Sequence, residues 1–266
     1  VIRSESEVNE NPHNRIKSVL GFGMTPVPST DLAHQGSGLV DFNRDRLLPM
    51  MYGNESPALL KGDLDGDGKE DVYIGGGRNQ PGKIIRISGN KISSTTPKAI
   101  SSHSISEETR GALFDVDNDG DLDLYMATGG RFFPKTSEAL QDRIFFNNGN
   151  GDFTASPDAL PFKGFFSTSV VQAVDFDRDG DNDLVVGERF DPFTYGRGGR
   201  GYLLENNGSG VFTDVTHANA GYLTASGMIT DIEVVDYNLD DCMDILIVRD
   251  WMPIVMLENQ KGKFAD

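Results

Sequence analysis

The sequence predicts an all-β chain made of repeated four-stranded sheets, and three observations carry that prediction. An aspartate-rich nonapeptide recurs four times, its first positions at 63, 115, 175 and 236, in steps of 52, 60 and 61 residues. Short apolar runs of strand length flank each copy, as with Ala112-Leu113-Phe114 and Leu124-Tyr125-Met126-Ala127 around the second. Asn- and Gly-rich stretches such as Asn147-Asn148-Gly149-Asn150-Gly151 punctuate the rest, supplying the φ > 0 geometry of tight hairpins. Self-similarity at a fixed period means one supersecondary unit per repeat.

Residues 1 to about 55 show polar clusters, scattered proline and no firm period. They are expected to form an extended arm, with Leu39-Val40-Asp41-Phe42 as a short strand and Arg46-Leu47-Leu48-Pro49-Met50-Met51 as a buried connector. Four units follow, at about 56–98, 110–157, 168–216 and 229–266. The third, for example, reads Val170–Val174, Leu184–Val186, Tyr202–Glu205 and Val211–Val215. In every unit the nonapeptide joins the first strand to the second. The second strand is continuously apolar, the mark of a strand buried on both faces. Sheets of four strands repeated in this way are the blades of a β-propeller, packed face to face around an axis.

The nonapeptides have the chemistry of a cation loop. The second reads Asp115-Val116-Asp117-Asn118-Asp119-Gly120-Asp121-Leu122-Asp123. Hard cations such as Ca²⁺ take several oxygens at about 2.3–2.6 Å. Asp115, Asp117, Asp119 and Asp123 provide carboxylates, and the backbone carbonyl of Asp121 provides another oxygen. By the same register the first loop offers Asp63, Asp65, Asp67, Lys69 (through its carbonyl) and Asp71. The third offers Asp175, Asp177, Asp179, Asp181 and Asp183. The fourth is weaker: Asp236, Asn238, Asp240, Cys242 and Asp244, with Asp241 where the others have glycine. Three calcium sites are expected, with a fourth at this variant loop. Aspartate-rich turns without metal are the alternative, opposed by the mutual repulsion of so many carboxylates.

These are not EF-hand loops. The twelfth positions, where an EF-hand carries a bidentate glutamate, are Ile74, Met126, Val186 and Ile247. Calcium here is expected to be structural, each site adding about 1.4 kcal/mol at ten times its Kd.

Charge and cysteine usage bound the partners. Of 41 acidic residues nineteen sit in the four loops, and the formal net charge is −17. Such a surface repels nucleic-acid phosphate. One cysteine, Cys242, excludes an internal disulfide framework, and calcium staples point to an extracellular or cell-surface, secreted setting. No apolar run approaches the length of a membrane span. The chain begins Val1-Ile2-Arg3, so any export signal is expected to have been removed or to lie elsewhere.

The four Asp loops, Leu47-Leu48-Pro49, Asn206-Asn207-Gly208 and Phe212-Thr213-Asp214-Val215-Thr216 together resemble a known repeat class. They are similar to the FG-GAP and VCBS-type repeats of calcium-bearing β-propellers, such as integrin α-subunit heads. The likeness extends to the ASPIC/UnbV and cartilage-acidic-protein group, common in secreted bacterial proteins, and covers residues from about 39 onward. The resemblance implies a ring of about seven blades, of which four are readable, although a closed four-bladed ring also exists as an architecture.

In such blades the metal loops and the third-to-fourth turns share one face. The opposite face carries Arg78, Arg131, Arg189 and Arg249, each ending a second strand and followed by proline, with Phe132, Tyr195 and Trp251 alongside. These seven are the candidate ligand contacts, since guanidinium forks match carboxylates and aromatic faces stack on sugars or cations. The alternative is that each arginine pairs within the protein. Gly196-Arg197-Gly198-Gly199-Arg200-Gly201 matches a phosphate-loop pattern but opens no helix, and reads as a hairpin.

No catalytic motif is present. His13, His34, His103 and His217 are scattered, and neither a zinc-protease pairing nor a nucleophile elbow occurs. The expected function is an extracellular, calcium-stabilised binding or adhesion module for a protein or glycan, in a chain expected to be non-enzymatic. A carbohydrate-active lyase or hydrolase using the central face is the alternative, and a scaffold segment of a larger secreted protein is a third. Oligomeric state is left open.

Overall fold

Why the second strands are apolar throughout is visible in how the sheets stack. The computed structural model describes residues 34–265 except Gln35, Ser37, Leu39, Leu47, Asn54, Asn90, Lys163 and Phe193. The expected arm thus lies mostly outside the described residues, as does Leu47. Sheet one is β1 (Leu59–Gly62), β2 (Asp71–Ile74), β3 (Lys83–Ser88) and β4 (Lys91–Thr95). Sheet two is β5 (Glu108–Phe114), β6 (Asp123–Thr128), β7 (Arg143–Asn147) and β8 (Phe153–Ser156). Sheet three comprises β9 (Ser167–Val174), β10 (Asp183–Asp191), β11 (Thr194–Gly198), β12 (Gly201–Asn206) and β13 (Phe212–Asp214). Sheet four is β14 (Ile229–Val235), β15 (Asp244–Arg249), β16 (Val255–Asn259) and β17 (Phe264–Ala265).

Every pairing is antiparallel, and the first strands lie side by side in the order β1, β5, β9, β14. These are the blades of a β-propeller. Along a strand successive side chains point to opposite faces, so a sandwiched strand must be apolar at both parities. In β6, Leu124 and Met126 pack toward sheet one with Leu64, Tyr73 and Ile84. Tyr125 and Ala127 pack toward sheet three with Val171, Leu184 and Val186. In β10, Val185 turns the other way, onto Ile232, Ile245 and Ile247 of sheet four. Full burial of a Val, Leu or Ile side chain contributes roughly 1.5–3 kcal/mol, and these inter-sheet layers hold the blades together.

Two expectations need correction. Asp41 and Phe42, expected in a short strand, lie instead in a 3₁₀ turn, Asp41–Asn43. Its reason is local: Asp41 accepts hydrogen bonds from the backbone N–H groups of Tyr52 and Gly53, both at 2.6 Å, which folds the segment back on itself. Sheet three also has a strand more than expected, because the glycine-rich stretch after Pro192 pairs with the extended end of β10 as β11. Leu48 is buried as anticipated, packed with Tyr52, Phe190 and Met228, while Met50 is exposed.

Candidate metal centres

Each nonapeptide turns on its first aspartate. In the second loop Asp115 accepts from the N–H of Asp119 (3.2 Å) and of Gly120 (3.0 Å), and Asp119 accepts from Asp121 N–H (2.9 Å). The third loop is its copy, with Asp175 accepting from Arg178 and Gly180 and Asp179 from Asp181. Gly120 and Gly180 sit at φ 94° and 96°, a conformation that glycine adopts without steric cost. The chain is thereby coiled so that carboxylates converge.

Three carboxylate triads result, each with oxygens mutually within 4.8 Å: Asp63, Asp65 and Asp67; Asp115, Asp117 and Asp123; Asp175, Asp177 and Asp183. In the second and third the ninth aspartate is fully buried. One oxygen of Asp123 accepts from Val116 N–H (2.8 Å) and the other from Asn147 N–H (2.7 Å). Asp183 is held in the same way by Phe176 N–H (3.2 Å) and Asn206 N–H (2.8 Å).

The donor set fits a hard divalent ion. All its donors are oxygens, as such a cation prefers, and Asp117 Oδ1 is buried with no hydrogen-bond partner. Burial pushes the Asp123 carboxyl up to about 6 and that of Asp183 up to about 7. The carboxyls of Asp117 and Asp177 are raised as well, first by burial and then by like charges, Asp119 and Asp179 respectively. Groups so placed are stabilised as anions by an adjacent positive charge.

The remaining expected ligands divide. Asp119 and Asp179 lie outside the triads, as do the seventh-place residues Lys69, Asp121 and Asp181, which were assigned through their carbonyls. The Asp181 side chain instead accepts from Asn118 Nδ2 of the neighbouring loop (2.6 Å). Asp71 lies outside its triad, and Arg86 Nε stands between, 2.7 Å from Asp65 and 3.4 Å from Asp71. The fourth loop keeps the turn but brings no three carboxylates together among the described residues. Asp240 and Asp241 N–H groups donate to Asp236, yet Asn238 Nδ2 donates to Asp240 (3.2 Å) and Cys242 N–H donates to Asp240 (2.8 Å). Asp244 is buried and accepts from Tyr237 and Asn259 N–H.

The asparagines ending the third strands were read only as turn formers, and they do more. Asn147 Nδ2 donates to Leu64 O of the preceding blade (3.0 Å) and to Leu122 O of its own (3.1 Å). Asn206 repeats this onto Val116 O and Asn182 O, and Asn259 onto Phe176 O and Met243 O. The signal was legible: an asparagine ends the third strand in three units, with glycine three or four residues later.

On the opposite face the seven expected ligand contacts have diverse fates. Arg131 is fully buried; its Nη2 donates to Asp45 (2.5 Å), and its guanidinium lies over the rings of Phe190 (5.4 Å) and Tyr195 (5.7 Å). Arg249 is buried, donating to Ser226 O (3.1 Å) and Pro253 O (2.7 Å). Those two are spent on internal contacts, Arg131 beneath Arg44 and Asp45, where Arg44 donates to Arg131 O and Pro192 O, and Arg249 within its own blade and the turn before it. Arg189 lies 3.6 Å from Glu55 and 3.8 Å from Asp250, over the Tyr52 ring. Arg78 is exposed and sits over Phe133, and Phe132 packs on Gly53. Trp251 is 77% exposed at φ 64°, with Nε1 donating to Tyr195 Oη (3.2 Å), which in turn hydrogen-bonds Tyr52 Oη (2.9 Å).

A model of the FG-GAP-like repeat matches residues 63–126 and 115–186. No curated protein sequence matches the chain. Among solved structures, an Agrocybe aegerita lectin described as recognising non-reducing terminal N-acetylglucosamine is similar at 20% identity and TM-score 0.51. The match covers 78% of this chain and 50% of the lectin, so the chain spans about half that protein's length. BBS1N, solved in complex with ARL6DN, is similar at 15% identity and TM-score 0.48, covering 79% and 56%. The Vibrio cholerae (V. cholerae) biofilm matrix protein Bap1 gives 16%, TM-score 0.33, 79% and 30%. The likeness to the lectin is one of fold. No helix among the described residues is long and apolar enough to cross a membrane.

Proposed function

We infer that this FG-GAP-type β-propeller repeat protein is a calcium-stabilised binding module for a protein or glycan partner outside the cell. Calcium is the ion of choice because the donors are all oxygen and the loops are open hairpins. Magnesium demands a near-ideal octahedron and keeps its waters. The loops would hold it through Asp115, Asp117 and Asp123, through Asp175, Asp177 and Asp183, and through Asp63, Asp65 and Asp67. Bound there, the ion would neutralise clustered carboxylates and fix the first hairpin of each blade.

The single observation that supports a binding role is Trp251. A bulky residue at positive φ is an outlier, and backbone strain of this kind costs of order 1–3 kcal/mol. Here that strain presents an indole to solvent, while the Tyr195 hydroxyl fixes its orientation. Arg189 is partly exposed nearby, and Met252 and Ile254 are exposed beside it. An aromatic flanked by a guanidinium stacks on sugar rings or anchors a peptide.

The carbohydrate-active alternative needs paired carboxylates beside a cavity that admits a sugar. Glu55, Glu107 and Glu108 do line one cavity, and burial raises the Glu107 carboxyl to about 7. Its volume is only about 20 Å³, however, room for one water, and in the roomier cavity of about 250 Å³ beside Glu138 the buried Asp142 is taken up by Tyr125, Thr128 and Thr168. The binding reading is therefore preferred. Glycan-array and surface-capture binding, run with calcium and with chelator, test it. Binding abolished by Trp251→Ala, with melting unchanged, supports the reading; equal binding by wild type and variant sinks it.

A further inference from the structure

We propose that Arg86 is a resident cation of the first loop, which makes that loop the weakest calcium site of the three triads and the least dependent on metal for its shape. The proposal rests on the calcium reading above and concerns how the sites differ.

The register of the sheets isolates this residue. In each blade the residue after the ninth aspartate pairs with the third strand: Val72 with Ile85, Leu124 with Phe145, Leu184 with Leu204, Ile245 with Leu257. The next third-strand position is therefore Arg86 in blade one, but Phe146, Glu205 and Glu258 in the others. Only the first blade places a cation there. The position after that is Ile87 in blade one and the asparagines Asn147, Asn206 and Asn259 in the rest. The first blade has lost its asparagine clasp and gained a guanidinium.

That guanidinium enters the loop. Its Nε is 2.7 Å from Asp65 Oδ2 and 3.4 Å from Asp71 Oδ2, and its Nη1 donates to Thr95 Oγ1 (3.3 Å). Asp71 is 4% exposed. In blades two and three the buried ninth aspartate joins the triad; in blade one the triad is formed instead by Asp63, Asp65 and the exposed Asp67. Asp67 is itself met by Lys69 Nζ at 2.6 Å, at a place where the other two triad-bearing loops carry Asp121 and Asp181. Two basic groups thus serve the first loop. Among the described residues, no lysine or arginine forms an ion pair with the carboxylates of the second or third loop. A divalent ion entering the first loop meets a neighbouring positive charge and one carboxylate already engaged, so its affinity falls. The same charge relieves carboxylate repulsion when no ion is bound.

Calorimetric titration of calcium into the chelator-stripped full chain tests this. Two tight sites are expected, with the first loop weaker by about ten-fold or more, a difference a single nearby charge can make. Asp63→Asn should delete a weak site and spare both tight ones. Arg86→Gln should bring the first loop to within roughly three-fold of the other two and lower the melting temperature in chelator more than in calcium. A first loop as tight as the others in wild type, a tight site lost in Asp63→Asn, or an unchanged affinity in Arg86→Gln overturns the proposal. If Arg86→Gln does not fold without calcium, the Asp63→Asn titration decides alone. Failure of every loop to take up calcium overturns both this proposal and the functional reading beneath it, whereas three equal sites overturn this proposal only.

Discussion

Asn206 Nδ2 lies 2.8 Å from the backbone carbonyl of Val116, ninety residues earlier in the chain and one blade away. The same amide group donates to Asn182 O (3.1 Å), and its Oδ1 accepts from Gly210 N–H (3.2 Å). One side chain therefore ties the metal loop of its own blade, its own hairpin turn and the loop of the blade before. Asn206→Ala takes this donor from the buried carbonyl of Val116 and the part-buried carbonyl of Asn182. A loss of about 2 kcal/mol or more is expected, read as a lower urea midpoint at unchanged m-value.

Removal of calcium should lower the melting temperature, and the loss should be graded by loop. Asp183→Asn deletes one buried carboxylate of the third triad. At calcium ten times the wild-type Kd it forfeits that site's contribution, about 1.4 kcal/mol. In chelator the deficit should be smaller, because a buried negative charge has gone, but it should not vanish, since asparagine offers one oxygen where Asp183 accepts from both Phe176 and Asn206 N–H. Differential scanning calorimetry in both conditions checks the difference.

Asp241 stands at φ 65° where the other loops have glycine. Its backbone N–H donates to Asp236 and its backbone carbonyl accepts from Arg178 of the third loop, bonds that any residue keeps. Asp241→Gly should stabilise the chain by up to about 1 kcal/mol by relieving the left-handed conformation. A lower melting temperature would show that the aspartate carboxylate has a role there.

Burial raises Glu107 from an ordinary 4.5 to about 7, with Arg78 opposing that shift and Glu55 and Asp41 adding to it. The folded state therefore binds this proton more tightly than the unfolded chain does. Its contribution favours folding below about pH 4.5, declines as pH rises toward 7, and is a constant penalty above that. Glu107→Gln should match wild type at pH 4 and melt higher at pH 8, measured in calcium so that the loop aspartates are held fixed.

Arg131 and Trp251 were expected to play one role, and their environments separate them. Arg131→Ala strips a buried guanidinium from Asp45 and from two aromatic rings, and about 3 kcal/mol or more of stability should be lost. Trp251→Ala removes a side chain that is 77% exposed and should change stability by less than about 0.5 kcal/mol. Chemical denaturation of the two variants side by side measures the contrast.

The blades were legible because their signals are local. Asp115 to Asp123 carries its own turn chemistry, and Leu124 to Ala127 is apolar at both parities because it is sandwiched. Gly196 to Gly201 was correctly read as hairpin, though not as an added strand. The arginine ring was misjudged in part for a different reason. Arg131 comes after β6 whereas Arg189 lies within the lengthened β10, and what surrounds each is supplied by Asp45, Tyr52 and Glu55, far back in the chain.

From its residues alone the chain is committed to repeated antiparallel sheets with cation-seeking hairpins, since hydrophobic alternation, glycine turns and carboxylate spacing act over a few residues at a time. Tertiary structure alone decided which carboxylates converge, that Arg86 rather than an asparagine enters the first loop, and that Arg131 is buried while Trp251 is displayed. Those outcomes depend on side chains meeting across blades, where register and burial, not local pattern, set the distances over which charge and hydrogen bonding act.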